Sequence, residues 1–198
     1  MLHTIKIVVK TLMFVTVIAF TSLVMWGYNQ EQIKAEERLI TKPDFERENN
    51  LTFLNSVNQC VEYIYNTTSD VYPVNREILL AQAALESGWG NSRFSLEGRN
   101  LFGMRTYDLR EPHMLPSNKP KKWGVKVYDH ECDSVQHYIL TLNNHSAYED
   151  YRKGLEDNID VFKLVETLGA YASDKNYFPK VKRIITKIRE EYKLDYRN

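Results

Sequence analysis

The apolar positions of this chain fall into two textures. From residue 11 to 28 they run almost without interruption, as Thr-Leu-Met-Phe-Val-Thr-Val-Ile-Ala-Phe-Thr-Ser-Leu-Val-Met-Trp-Gly-Tyr, and carry no charge. From residue 51 onward they recur every three or four positions among polar ones, which is the spacing of one helix face. Residues 29–50 between them are polar and charged, with Lys42-Pro43-Asp44 in the middle, and read as a tether.

The N-terminal run predicts a transmembrane helix. Its 18 residues, at about 1.5 Å each, approach the thickness of a bilayer core. Lys6 and Lys10 precede it, which favours a cytoplasmic segment 1–10 and export of everything beyond residue 28. Trp26 and Tyr28 stand at its far end, where interfacial aromatics belong. A cleaved signal sequence, with secretion of the remainder, is the alternative. Met25-Trp26-Gly27-Tyr28 lacks the small-residue site that such cleavage uses.

The second texture predicts a helical domain over 51–198. Leu54, Val57, Val61 and Ile64 stripe a first helix. Ile78, Ala81, Leu85 and Trp89 stripe a second, which starts near Asn75 and is stopped by Gly88 and Gly90. Asn91 or Ser92 caps a short third helix that Gly98 closes. The pattern then changes. Pro112, Pro116 and Pro120 interrupt residues 104–128, and Trp123-Gly124-Val125-Lys126-Val127-Tyr128 alternates like a strand. A small β-hairpin lobe follows, with Lys119, Lys121 and Lys122 as a solvated tip or a contact for anions.

Helical period resumes with Asp133 as a cap and Val135, Tyr138, Ile139 and Leu142 on one face. Ser146 and Glu149 have the spacing of a capping box ahead of a helix through Leu155. Asp160 caps Val161, Leu164, Val165 and Leu168, and Val181, Ile184, Ile185, Ile188 and Tyr192 stripe the last helix. The expected fold class is mainly α (α+β).

Composition narrows the function. The 26 basic residues balance 26 acidic ones, against the strongly basic profile of a nucleic-acid binder. His130-Glu131 lacks the second histidine of a His-Glu-x-x-His zinc site, and there is no Gly-rich phosphate loop, so no metal or cofactor is expected. Cys60 and Cys132 make an even pair, either a disulfide in an exported domain or two buried free thiols.

Glu86 is the residue with the most chemistry in its setting. It ends an apolar helix and faces the Ser87-Gly88-Trp89-Gly90 turn. Burial there disfavours the ionised carboxylate and lets it hold a proton near neutral pH, as glycoside cleavage requires of a general acid. The bland alternative is a solvated glutamate at a helix end.

Ala84-Leu85-Glu86-Ser87-Gly88-Trp89-Gly90, followed by Asn100-Leu101-Phe102-Gly103-Met104-Arg105, resembles the bacterial peptidoglycan glucosaminidases. The likeness is strongest to their Bax-like members and extends from about residue 50 to the C-terminus. A third motif, Gly169-Ala170-Tyr171-Ala172-Ser173-Asp174-Lys175-Asn176-Tyr177, is similar to the family's tyrosine loop.

The resemblance implies a lysozyme-like cleft between a helical lobe and the β-lobe. It also implies hydrolysis of the β-1,4 bond after N-acetylglucosamine in peptidoglycan glycan strands. Glu86 would be the general acid and Tyr171 its cleft partner. Trp89, Asn100, Phe102, Gly103 and Tyr177 would bind or support substrate. The second catalytic group stays open. The sequence has no acid between Glu111 and Asp129, which leaves Asp108, Glu111 or the substrate's own 2-acetamido group. A lytic transglycosylase using the same glutamate, or a non-catalytic membrane-anchored wall-binding scaffold, would fit the same pattern. The sequence identifies no protein partner.

Overall fold

The computed structural model describes residues 19–34, 36–37, 40–116, 122–169, 171, 174 and 176–193. The chain divides into two compact units, residues 1–41 and residues 42–198. In the first, residues 19–34 are helical and mostly exposed. No helix among the described residues is long and apolar enough to cross a membrane, and residues 11–18 of the expected span lie outside them.

The second unit is helical with a small sheet. Its elements are α1 (Asn50–Thr67), α2 (Arg76–Ser87), α3 (Arg93–Gly98), β1 (Arg105–Thr106), β2 (His113–Met114), β3 (Gly124–Lys126), α4 (Glu131–Asn144), α5 (Glu149–Glu156), α6 (Val161–Leu164) and α7 (Tyr177–Glu191). Single 3-10 turns cover Ser146–Tyr148 and Val165–Thr167.

Helix α2 is the axis of the unit. Every residue from Glu77 to Ala84 is buried, so this helix is enclosed rather than amphipathic. Helices α7 and α1 pack against it, and α4 packs on α1. The α1 stripe of Phe53, Leu54, Val57, Val61 and Ile64 is fully buried, as are Val181, Ile185 and Ile188 of α7.

Local chemistry sets the ends. Asn49 begins α1 by accepting from the amides of Leu51 and Thr52, while Thr52 Oγ1 accepts from the Asn49 amide. Asn75 caps α2 through the Ile78 amide, Ser92 caps α3, and Asp160 caps α6. Two expected caps are different. His130, not Asp133, caps α4, through Nδ1 to the Cys132 amide, and Asp133 instead pairs with Lys42 at 2.7 Å. Asp133 falls inside the first helical turn, where a carboxylate still favours the positive end of the helix dipole. The Ser146 capping box does not form either. His145 caps a 3-10 turn at Ser146, and α5 begins at Glu149 without a side-chain cap.

The β-lobe is a three-stranded antiparallel sheet in the order β1-β3-β2, with Arg105 opposite Val125 and His113 opposite Lys126. The lysines at 119 and 121 lie outside the described residues. Cys60 of α1 and Cys132 of α4 form a disulfide, which decides between the two readings of that pair. Among the described residues, the one cluster of metal-ligand types is Cys60, His130 and Cys132, and the disulfide takes up both sulfurs.

Candidate active site

Buried helix α2 carries polar side chains at Glu77, Gln82 and Glu86, and each has a partner across the core. Arg189 donates to both Glu77 oxygens, from Nε at 2.6 Å and Nη2 at 2.5 Å. Tyr138 donates its hydroxyl to Gln82 Oε1, and Gln82 Nε2 donates to the Tyr177 hydroxyl oxygen at 2.8 Å. Tyr177 also lies close enough to Glu86 to favour its ionised form. The buried hydrogen bonds of the helix thus run from Tyr138 through Gln82 to Tyr177.

Glu86 is half-buried. Burial pushes its carboxyl up from the ordinary value, against the neighbouring Tyr177 hydroxyl and the Lys180 charge, which favour the ionised form. The chain leaves the helix abruptly after it. Gly88, Trp89 and Gly90 all take positive φ, at 59°, 59° and 81°. Ser87 Oγ donates to the Ala83 carbonyl at 2.6 Å and accepts from the Gly90 amide at 2.7 Å, which clamps the turn. A Cβ on Gly90 would stand 2.8 Å from the Phe53 ring, so only glycine fits. Trp89 turns into packing: its ring lies 6.4 Å from Phe53 and 6.0 Å from Tyr192, with Lys187 Nζ 5.4 Å from its centre.

The Asn100 turn meets Glu86 through Gly103. An ideal Cβ built on Gly103 would lie 3.7 Å from Glu86 Oε2, and Gly103 itself is exposed with φ of 66°. Asn100 is 1% exposed and serves the turn. Its Nδ2 donates to the carbonyls of Met104 at 2.9 Å and Lys126 at 2.8 Å, and its Oδ1 accepts from the amides of Phe102 and Met104. The amide has no capacity left for a sugar. Its work is to pin the turn to strand β3. Phe102 is likewise buried, stacked on Tyr138 at 4.1 Å.

Tyr171 stands across from this turn. Its hydroxyl donates to the Phe102 carbonyl at 2.9 Å, and its ring stacks on Tyr177 at 5.7 Å. Burial pushes its phenol up, and neighbouring Tyr177, Tyr138 and Glu86 add to that. Residues 172, 173 and 175 of the tyrosine motif lie outside the described residues. The structure thus gathers Glu86, Gly103, Tyr171 and Tyr177, while Trp89, Asn100 and Phe102 face the protein.

Asp108 and Glu111 sit on the β-lobe, each held by neighbours. Arg110 grips Asp108 at 2.8 and 2.6 Å, and Thr106 and Lys126 hold Glu111 at 2.9 and 3.3 Å. Those partners keep both carboxyls below the ordinary range. A cavity of about 570 Å³ opens at the other end of α2, beside Asn75, Arg76 and Glu77, and does not include Glu86. Its charges are already engaged, Arg76 with Glu62 and Glu77 with Arg189.

Gln82 and Tyr138 were not singled out by pattern reasoning as part of this site. The signal for Gln82 was present: it is a lone amide in an apolar run, one turn before Glu86.

Comparison with known proteins agrees on the fold and the family. The sequence model described as mannosyl-glycoprotein endo-beta-N-acetylglucosaminidase matches residues 62–190. Protein bax of Escherichia coli is 35% identical over 85 residues, covering 42% of this chain and 28% of that protein. Exo-glucosaminidase LytG of Bacillus subtilis is 24% identical over 168 residues, covering 79% of this chain and 56% of that protein. The chain therefore spans less than two thirds of these relatives. The catalytic domain of the autolysin Auto from Listeria monocytogenes superposes with a TM-score of 0.53 at 26% identity, covering 80% of this chain and 93% of that domain. A glycoside hydrolase domain of FlgJ from Salmonella typhimurium shares the fold at a TM-score of 0.51 and 20% identity, covering 71% of this chain and 98% of that one. With the family model matched from within α1 to the last turn of α7, the chain belongs to the glucosaminidase family of glycoside hydrolases.

Proposed function

We propose that this protein is a peptidoglycan hydrolase that cleaves the β-1,4 bond after N-acetylglucosamine, with Glu86 as general acid. The observation that carries the reading is the setting of Glu86: half-buried, raised in pKa by that burial, and facing an exposed glycine. A carboxyl so placed keeps its proton to higher pH and delivers it to a leaving oxygen seated over Gly103. Gly103 leaves room for a substrate ring beside the acid.

Asp108 and Glu111 are tied to cations on the lobe, so the second step falls to the substrate. Its 2-acetamido oxygen attacks the anomeric carbon as the glycosidic bond breaks and the leaving oxygen takes the Glu86 proton. The carboxylate of Glu86 then accepts a proton from the water that opens the cyclic intermediate. Family relatives named as an exo-glucosaminidase, an autolysin and a peptidoglycan hydrolase support the substrate class.

The domain works outside the cytoplasm, held by residues 11–28 as a membrane anchor and residues 29–41 as a tether, with residues from 42 onward part of the folded unit. The Cys60–Cys132 disulfide supports an oxidising compartment.

Digestion of purified peptidoglycan by the full chain in detergent, wild type beside Glu86→Gln, tests the reading by mass spectrometry of the fragments. Reducing N-acetylglucosamine ends that disappear in the variant are expected. Anhydro-muramic ends would make it a transglycosylase, and no fragments from folded protein would leave a wall-binding role.

A further inference from the structure

We propose that Arg105, held against the Trp123 ring on the β-lobe, is a substrate-binding residue that takes a carboxylate of the muramyl unit next to the cleaved N-acetylglucosamine. The identity of this ligand rests on the peptidoglycan-hydrolase reading above.

The strand pairing places the two side chains together. Arg105 of β1 lies opposite Val125 of β3, and Trp123 precedes Val125 by two residues, on the same face. A long side chain and an aromatic ring meet across such a diagonal. The Arg105 guanidinium carbon stands 4.1 Å from the centre of the Trp123 ring. Exposure alternates along this stretch: Gly103 and Arg105 are exposed, Met104 is half-buried and Thr106 is buried. Arg105 therefore turns to solvent two residues after the glycine that borders Glu86 Oε2. Two residues span at most about 7 Å, so the guanidinium reaches the sugar next to the one seated over Gly103.

The state of this cation points to its ligand. Arg47, Arg76, Arg110 and Arg189 each grip a carboxylate of the protein. Among the described residues no carboxylate pairs with Arg105, although two acids stand on the same lobe. Asp108 is taken by Arg110, and Glu111 by Thr106 and Lys126. Contact with a ring face spends none of the five guanidinium N–H donors. The ring instead fixes a long side chain in advance, which lowers the entropy lost on binding. A guanidinium set in this way is matched by a planar anion that accepts two parallel hydrogen bonds, as a carboxylate does. N-acetylglucosamine is neutral. In an alternating strand its neighbour is a muramyl unit, whose lactyl group either ends in a carboxylate or carries a peptide that does.

The test is calorimetric titration of the full chain in detergent, in the Glu86→Gln background so that no strand is cut. Three soluble ligands are compared: glycan strands that bear peptides, the same strands stripped of peptide by an amidase, and the neutral N-acetylglucosamine tetramer. Arg105→Gln is expected to weaken binding of a carboxylate-bearing strand about tenfold and to leave the tetramer unchanged. Loss on the peptide-bearing strands assigns the carboxylate to the peptide, and loss on the stripped strands assigns it to the lactyl group. Arg105→Lys keeps the charge without the fork and should lose about threefold. Trp123→Leu should also lose about threefold, and nothing further once Arg105→Gln is present, which separates fixing the cation from a merely structural role. Raised salt should shrink these losses. Unchanged affinity for both acidic strands, an equal loss on the tetramer, or binding of none of the three by folded protein overturns the proposal. Wild-type protein that leaves peptidoglycan intact would defeat the general-acid reading, while wild type that cleaves it with Arg105 indifferent to ligand charge would leave that reading standing without this one.

Discussion

The Tyr171 hydroxyl donates to the carbonyl of Phe102 at 2.9 Å, joining residues 69 positions apart in sequence. One side of this contact leads to Gly103, beside the Glu86 carboxylate, and the other leads through a stacked ring to Tyr177, whose hydroxyl accepts from Gln82. Both walls around the acid are thus registered to each other through one phenol.

Tyr171→Phe keeps the ring stack and removes the tether. The loss of one part-buried hydrogen bond costs about 1 kcal/mol of stability. Activity on peptidoglycan is expected to fall about tenfold, mainly in kcat, because a displaced Gly103 turn misplaces substrate over the acid rather than weakening its binding elsewhere. A variant with lowered melting temperature and unchanged turnover would restrict this hydroxyl to stability.

Glu86→Gln is expected to abolish hydrolysis and yet stabilise the fold at neutral pH. The folded pKa of Glu86 lies above the ordinary 4.5, so the folded state holds its proton more tightly than the unfolded one. Its contribution to stability is fully present below that ordinary value and is lost as pH rises through the folded pKa. Glutamine does not titrate. The melting temperature of the variant should therefore exceed that of the wild type at pH 7, and the gap should close towards pH 4. Thermal melts across that range check the sign.

Much of this was legible beforehand. The helix periods placed α1, α2, α4 and α7, because each buries a stripe whose spacing survives in any packing. The motif around Glu86 and the Gly103 turn likewise pointed to two stretches that meet. What pattern could not give is the allocation of polar atoms. Asn100 reads as a sugar ligand from its chemistry, but its four hydrogen bonds go to backbone groups from Phe102 to Lys126. Trp89 reads as a cleft residue, yet its positive φ swings it onto Phe53 and Tyr192. Trp89 and the Lys126 bond of Asn100 depend on contacts far apart in sequence, as does the pairing of Asp133 with Lys42, while His130 caps α4 through the neighbouring Cys132 amide.

Gly103→Ala separates backbone cost from site cost. A non-glycine residue at φ of 66° costs about 1 kcal/mol, and the new methyl would sit 3.7 Å from Glu86 Oε2. That distance is ordinary contact, so the fold should survive with a modest loss in melting temperature. Peptidoglycan turnover should drop by more than tenfold, because the methyl occupies space meant for substrate. Equal losses in a control at Gly88, also at positive φ but with only Ser92 N within reach at 3.9 Å, would trace the effect to the backbone alone.

Asp108→Asn and Glu111→Gln are each expected to keep activity within about threefold of wild type, since substrate assistance needs no carboxylate from the lobe. Product assays on both single variants and the double variant decide this. Loss of turnover in one, with its fold intact, would assign that residue the second catalytic role and remove the acetamido mechanism.

The last prediction concerns the Cys60–Cys132 bond, which closes a loop of 72 residues between α1 and α4. In the chain-entropy account, a crosslink over that length removes freedom from the unfolded chain worth about 4 kcal/mol. Both sulfurs are buried, so the bond holds the α1–α4 contact at the core rather than a surface loop. Cys60→Ser with Cys132→Ser should therefore lower stability by about 2–5 kcal/mol in denaturant titrations, and thiol reductant should bring the wild type to a similar value. Glu86 lies on α2, whose contacts with α7 do not involve the crosslink, so below its melting temperature the double variant should still cleave peptidoglycan. If the variant instead melts like the wild type, the two thiols are free in the working protein, and the support they lend to an oxidising compartment is withdrawn.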